Sequence, residues 1–393
     1  MVNATAHGLI GVVLLARHGD RTEYYQNPLT YNSNQSYITP LGSVQEYELG
    51  SYLRSVYLNK SSPSYISNIS TDVADINQLY IRSDAGGGNA ILNSAYSLLQ
   101  GLYPGTTASS ITLANGTTVT APLQGYQYIP VESVEQDLIP SLTSWMDCQY
   151  FQYHVNRTYD SSQYLEIAQE AQPFLDAVVP YIDGRSNNFT NMWNIYDYIN
   201  VQSIHNKTYN DALPPTFLEQ ARYYANQHEY LMFTDSASNA IGEIPIRTLL
   251  PELIWSLGNM SANTSPVKLA LTELDYKPFI SLFNVTNATL GDPSIAGIAN
   301  YASAAALELS YGSGGEPEIS LKFKNGTEDD ELRPLTMWGN SSVTLKQFIT
   351  ILDNTTVNST HNWCFSCNQT ILRGCSVYNF STDPFLNPGS ANP

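Results

Sequence analysis

Arg17-His18-Gly19-Asp20-Arg21 places two permanent cations on either side of an imidazole within one short segment. Arginine forks donate paired hydrogen bonds to phosphate oxygens and offset the cost of burying a dianion. A neutral imidazole held between them carries a nitrogen lone pair that can attack phosphorus. A loop of arbitrary sequence with this composition would simply pair its arginines with nearby carboxylates, so its position in the fold decides. Ile10 to Ala16, just before it, is a continuous apolar run with β-branched residues, the pattern of a strand buried on both faces of a parallel sheet. Loops beyond the carboxyl ends of such strands are where open α/β sheets hold ligands.

The elements that must position this segment follow in order. Thr39-Pro40-Leu41-Gly42 opens a helix in which Val44, Leu49, Tyr52, Leu53, Val56 and Tyr57 recur at helical spacing. Leu79-Tyr80-Ile81 reads as a second strand ending at Arg82-Ser83-Asp84. Beyond Gly86-Gly87-Gly88, a further helix carries Ile91, Ala95, Leu98, Leu99 and Leu102 on one face. This alternation predicts an α/β fold with a mainly parallel sheet flanked by helices. From about 120 to 260 the pattern turns helical, for example Tyr164 to Val179, Pro215 to Tyr230 and Ile241 to Leu257. The expected organisation is an α/β domain in two parts, 1–119 and 261–393, with a mainly helical cap inserted over 120–260. Val267 to Leu271 is read as a strand returning to the sheet, Ala304 to Tyr311 and Glu318 to Phe323 as a hairpin, Val343 to Leu352 as a late helix, and the tail after Asp383 as loose.

Composition narrows the partners. With 42% hydrophobic and 11% aromatic residues, the 393-residue chain is no disordered segment. Its 35 acidic against 17 basic residues, a formal charge of −18, argue against nucleic acid or an anionic membrane as main partner. An anionic substrate needs a local basic pocket. No run of 18 apolar residues suggests a membrane span. Only 13% of residues are charged, yet there are eighteen Asn-X-Ser/Thr triplets, among them Asn34, Asn59, Asn115, Asn156, Asn206, Asn263, Asn325, Asn354 and Asn379. N-linked glycans on a secreted chain would solubilise such a weakly charged surface. Gly8 to Ala16 lacks a basic leader region and runs straight into Arg17, so it belongs to the fold, and a signal peptide is expected to have been removed ahead of it.

The four cysteines, Cys148, Cys364, Cys367 and Cys375, permit three pairings; with His361, the last three can also be read as zinc ligands. An oxidising compartment favours disulfides. The pairing expected is Cys367 with Cys375 and Cys148 with Cys364. His7, His154, His205, His228 and His361 are scattered and read as structural or exposed.

Leu15-Ala16-Arg17-His18-Gly19-Asp20-Arg21-Thr22 resembles the Arg-His-Gly-X-Arg signature of the histidine acid phosphatases, the branch of acid phosphatases and phytases. Thr39-Pro40-Leu41-Gly42, Gln45, Leu49-Gly50, Leu53-Arg54 and Tyr57 resemble the family's next helix, Arg82-Ser83 its third element, and Ile204-His205-Asn206 before Leu213-Pro214 a segment of its cap. The resemblance implies that His18 accepts the phosphoryl group as a phosphohistidine that water then hydrolyses, while Arg17, Arg21 and Arg82 hold the phosphoryl oxygens. It implies no metal and no cofactor, a small phosphorylated or otherwise anionic substrate, and hydrolysis of phosphate monoesters at acidic pH. Phytate would need a wide basic pocket that so few Lys and Arg make hard to build.

Three departures from the family stand out. Thr22-Glu23-Tyr24 replaces a proline after the second arginine. Ala90 stands where a clamp arginine is expected, four residues before Ser94-Ala95. No histidine occurs in Leu271-Thr272-Glu273-Leu274-Asp275-Tyr276-Lys277-Pro278-Phe279, where the family has a His-Asp pair. Asp275 is the candidate proton donor, with Glu273, Asp84 and Glu23 as alternatives, and Lys277 can restore lost positive charge. Two further readings follow: a catalytically impaired family member binding an anion, glycan or protein, or an enzyme acting on a non-phosphate substrate.

Overall fold

Gly11–Arg17 (β1) is buried at every position, as its unbroken apolar run requires. In the computed structural model, which describes residues 8–32, 36–86, 89–262 and 265–378, β1 is the middle strand of a mixed sheet. Gly87, Gly88, His7, Asn34, Asn263, Asn379 and the tail beyond Asp383 lie outside the described residues. The remaining strands are β2 (Leu79–Asp84), β3 (Ser110–Thr112), β4 (Thr118–Thr120), β5 (Glu132–Val134), β6 (Leu269–Leu274), β7 (Ala304–Tyr311), β8 (Pro317–Lys324), β9 (Arg333–Leu335) and β10 (Val343–Thr344). The sheet order is β10-β8-β7-β1-β6-β2-β5, with β9 beside β8, and β3-β4 form a separate hairpin. β1, β6, β2 and β5 run parallel, so their carboxyl ends share one edge; β7 to β10 continue antiparallel and contain the expected hairpin.

Alternation sorts β1 onto two cores. Val12, Leu14 and Ala16 pack with Leu49, Leu53 and Tyr57 of α1 (Pro40–Tyr57) and Leu98 and Leu102 of α2 (Ala90–Leu102). Val13 and Leu15 join Leu253, Leu257, Phe279 and Phe283 on the other face. The sheet is thus flanked by helices on both sides, the α/β architecture expected. Helices α1 and α2 touch backbone to backbone at Gly50 and Gly101: a Cβ at Gly50 would lie 1.9 Å from the Leu98 carbonyl oxygen, and one at Gly101 2.0 Å from that of Tyr47.

Between β5 and β6 the chain is helical, with Gln149–Tyr159, Ser162–Val178, Met192–His205, Phe217–Met232 and Leu250–Ser261 as the main helices. The run expected as one helix from Ile241 to Leu257 is broken, because Pro245 and Pro251 each begin a new helix, where a missing N–H costs nothing. β5 falls inside this otherwise helical stretch and extends the sheet edge. β6 runs three residues past the expected Leu271, so Glu273 is a buried strand residue rather than a loop carboxylate. Among the described residues no helix is long and apolar enough to cross a membrane.

The cysteine pairing differs from expectation: Cys148 bonds Cys367 and Cys364 bonds Cys375. Cys364 and Cys367 sit one turn apart on the helix Thr360–Cys367. Trp363 Nε1 donates to the Ser144 carbonyl and Asn368 docks on Gln149, which seats the end of this helix, and hence Cys367, against the chain at Cys148. Cys364 is left facing the turn that brings back Cys375. All four sulfurs are consumed, which removes the zinc alternative.

Candidate active site

The parallel half of the sheet delivers its strand ends to one cavity of about 600 Å³, whose lining includes Arg17, His18, Arg21, Asp84, Ala90, Asp275 and Lys277. The loop after β1 is fixed from several directions. Gly19 N donates to Ser94 Oγ at 3.1 Å and Asp20 N to Gln45 Oε1 at 2.9 Å. The Asp20 carboxylate accepts from Thr39 Oγ1 and, at 2.7 Å, from His205 Nε2, so a cap histidine holds the loop without lining the cavity. Gly19 is required by its neighbour in the fold: a Cβ there would lie 2.5 Å from the Gly42 carbonyl oxygen of α1.

His18 is 3% exposed, and its Nδ1 lies 2.8 Å from the Gly19 carbonyl oxygen. A carbonyl only accepts, so Nδ1 carries the proton and Nε2 keeps its lone pair. Burial, then the charges of Arg17 and Arg21, hold the His18 pKa well below the usual value, so the imidazole is neutral. Tyr301 packs on it with ring centroids 5.6 Å apart.

Arg17 lies 4.6 Å over the Tyr301 ring and 5.2 Å over that of Tyr276, and donates through Nη1 to the Ala299 carbonyl. Its buried Nε has no partner among the described residues. Arg21 binds Asp197 through Nη2 at 2.9 Å and Nη1 at 3.3 Å, and Nη1 also donates to the Thr22 carbonyl at 2.9 Å. Burial alone would lower the Arg21 pKa, but the Asp197 charge and hydrogen bond overcome it and raise it. Asp197 escapes a sequence reading because it is an ordinary helix residue far along the chain from Arg21.

Arg82 is not brought into this group, contrary to expectation. Register sets it level with Thr272 and hence with Leu15, two rungs below Arg17 and roughly 7 Å back along the strands. There Glu132 takes its guanidinium at 3.1 and 3.3 Å, and Glu252 pairs with Nη1. Asp84, the last residue of β2, does reach the cavity. One of its oxygens accepts from Gly86 N at 2.8 Å. Burial first, opposed by that hydrogen bond and assisted by the Asp275 charge, pushes its pKa up to about 6.

Asp275 also lines the cavity, but Lys277 holds both its oxygens, through the backbone N at 2.9 Å and Nζ at 2.7 Å. Glu23 is turned away and accepts from Gln202. Glu273 points to the α1 side of the sheet, where it meets Glu46; both are fully buried without hydrogen-bond partners among the described residues, and burial raises both pKa values well above the usual range. In the opposite wall His228 Nδ1 lies 2.8 Å from Glu229, whose second oxygen accepts from Tyr276 at 2.6 Å. His228 was expected to be structural, and nothing in the sequence pointed to this chain of bonds.

No family model matches the sequence. The chain is similar to prostatic acid phosphatase of Mus musculus, 25% identical over 379 residues covering 91% of this chain and 89% of the relative. The same protein of Rattus norvegicus is 27% identical, covering 87% and 85%. Among solved structures, the phytase of Citrobacter braakii superposes with a TM-score of 0.62 at 12% identity, covering 89% of this chain and 98% of that one. Along almost its whole length the chain is thus similar to acid phosphatases, and it shares the fold of a phytase, a likeness that agrees with the resemblance to the histidine acid phosphatases carried by the loop around His18.

Proposed function

We propose that this chain is a phosphoric monoester hydrolase acting at acidic pH through a phosphohistidine on His18. The observation that carries the reading is the His18 tautomer: Nδ1 is tied to the Gly19 carbonyl, and the neutral ring keeps Nε2 free between two arginines. Nε2 attacks phosphorus. Arg17, with an unused Nε–H, and Arg21, whose five donors are only partly taken by Asp197 and Thr22, hold the phosphoryl oxygens and stabilise the charge that builds on them. Proton transfer to the leaving group falls to the carboxyls at the ends of β2 and β6, Asp275 among them.

A small monoester suits this cavity better than a highly phosphorylated ring. Its cations are Arg17, Arg21, Arg222 and Lys277, and they face Asp84, Asp197, Glu229, Asp275 and Glu328. Arg21 and Lys277 are already paired, and Ala90 brings no charge to the position where the family has an arginine. We further propose that the chain is secreted and N-glycosylated. Two disulfides and the exposed sequon asparagines Asn59, Asn115, Asn156, Asn206 and Asn354 support this reading.

Rapid quenching into alkali should trap labelled phosphate on His18, and His18→Ala should lose both label and turnover. Full activity in the alanine variant overturns the assignment. Ala90 and the histidine-free end of β6 favour a second reading, a family member that binds an anion without turnover. Hydrolysis of none of an aryl phosphate, an alkyl phosphate and phytate between acidic and neutral pH would select it.

A further inference from the structure

We infer that Asp84 is the residue that protonates the leaving alcohol, with Asp275 as its neighbour committed to Lys277; the inference rests on the phosphohistidine reading above. Three adjacent parallel strands, β1, β6 and β2, end on the same edge with His18, Asp275 and Asp84 in one cavity. Ser83 pairs with Glu273, so Asp84 comes level with Leu274 and with Arg17, which pairs with Leu274. Asp84 thus shares the cavity edge with the nucleophile's loop.

The two carboxyls are held differently. Both oxygens of Asp275 are engaged by Lys277, one by its backbone N and the other by its ammonium. Asp84 is 5% exposed, has one oxygen bound to Gly86 N, and keeps the other without a partner among the described residues. A proton on that second oxygen needs no ion pair to be broken. The charged and titratable groups around it are Asp275 and Lys277 just beyond β6, Arg373 from the C-terminal turn, and, across the cavity, Arg17 and the neutral His18. Their sum, added to burial, leaves the Asp84 pKa at about 6, within reach of an acidic working pH.

In the first step the His18 Nε2–P bond forms as the P–O bond to the leaving group breaks, and the proton on Asp84 passes to the departing oxygen. In the second, water attacks phosphorus, the P–N bond breaks with its electron pair returning to Nε2, and a proton of that water returns to Asp84. Atoms and charge balance without a co-reactant.

The test compares an alkyl phosphate such as glycerol 2-phosphate with 4-nitrophenyl phosphate, whose leaving group departs with little protonation. Asp84→Asn should lower kcat for the alkyl ester by ~10²-fold or more and affect the nitrophenyl ester far less. In the unaltered enzyme, the ratio of alkyl to aryl kcat should fall as pH rises through about 6. That ratio needs no variant and stands even if Asp84→Asn folds poorly. A ratio flat with pH, equal losses on both esters, or an alkyl-selective loss in Asp275→Asn in place of Asp84→Asn overturns the inference while leaving His18 as nucleophile. Loss of neither ester's turnover in His18→Ala strikes the underlying reading itself and removes this inference with it.

Discussion

The cavity has two sides built on opposite principles. On the β1 side one short loop supplies imidazole and guanidinium groups, fixed by partners from α1, α2 and the helical cap. On the β2 and β6 side two separate strands supply carboxyls, and a lysine two residues away claims one of them. The difference shows how an anion site and a proton site can coexist. Burial, then the charges of Arg17 and Arg21, keep His18 neutral, while burial raises the pKa of Asp84 to about 6.

Substitutions on each side should expose that division. Arg21→Lys keeps the charge but cannot span Asp197 and a phosphoryl oxygen at once. It should cost ~10²-fold in kcat/KM on alkyl and aryl esters alike. A loss under about threefold would show that charge alone suffices. Lys277→Met acts on the other side. Lys277 lowers the Asp84 pKa, so its removal should carry the descending limb for alkyl esters from about 6 to higher pH, with little effect on aryl esters. A limb that moves down instead would mean that another carboxyl is being followed.

The smallest effect is on stability. Glu46 and Glu273 have raised pKa values when folded, so the stability they support is fully present below their unfolded pKa and is lost as pH rises through the folded values. Glu243, pushed by burial up to about 8, acts in the same direction. The protein should therefore melt at a higher temperature in mildly acidic buffer than at pH 8. Glu46→Gln should narrow that gap by a few degrees, as followed by circular dichroism. A gap of unchanged size would mean that Glu46 ionises in the folded protein as readily as in the unfolded chain.

The fold was legible wherever a local pattern is enough. The apolar run of β1, the stripe of α1 and the β7-β8 alternation each declare themselves within about ten residues. The Arg17–Arg21 loop was legible for the same reason, since its chemistry lies in one segment. Arg82 was misplaced because sequence gives a strand but not its depth: two rungs separate a residue in the cavity from one beneath it. Asp197 and Tyr301 were invisible because tertiary contact alone brings them to Arg21 and His18. The cysteine pairing turned on which of two residues one helical turn apart faces Cys148.

The Cys148–Cys367 bond has a topological consequence. It closes a covalent ring, with a sequence separation of 219, that encloses most of the cap and the strands from β6 to β10 but leaves β1, α1, β2 and α2 outside. A protease that nicks an exposed cap loop within the ring opens it into a linear piece still tethered at both sides of the cut. One cutting at the exposed β3-β4 hairpin instead severs the strand ends bearing His18 and Asp84 from the one bearing Asp275, so that only packing keeps the cavity together. On a denaturing gel without reductant, the first wound is silent and the second is not.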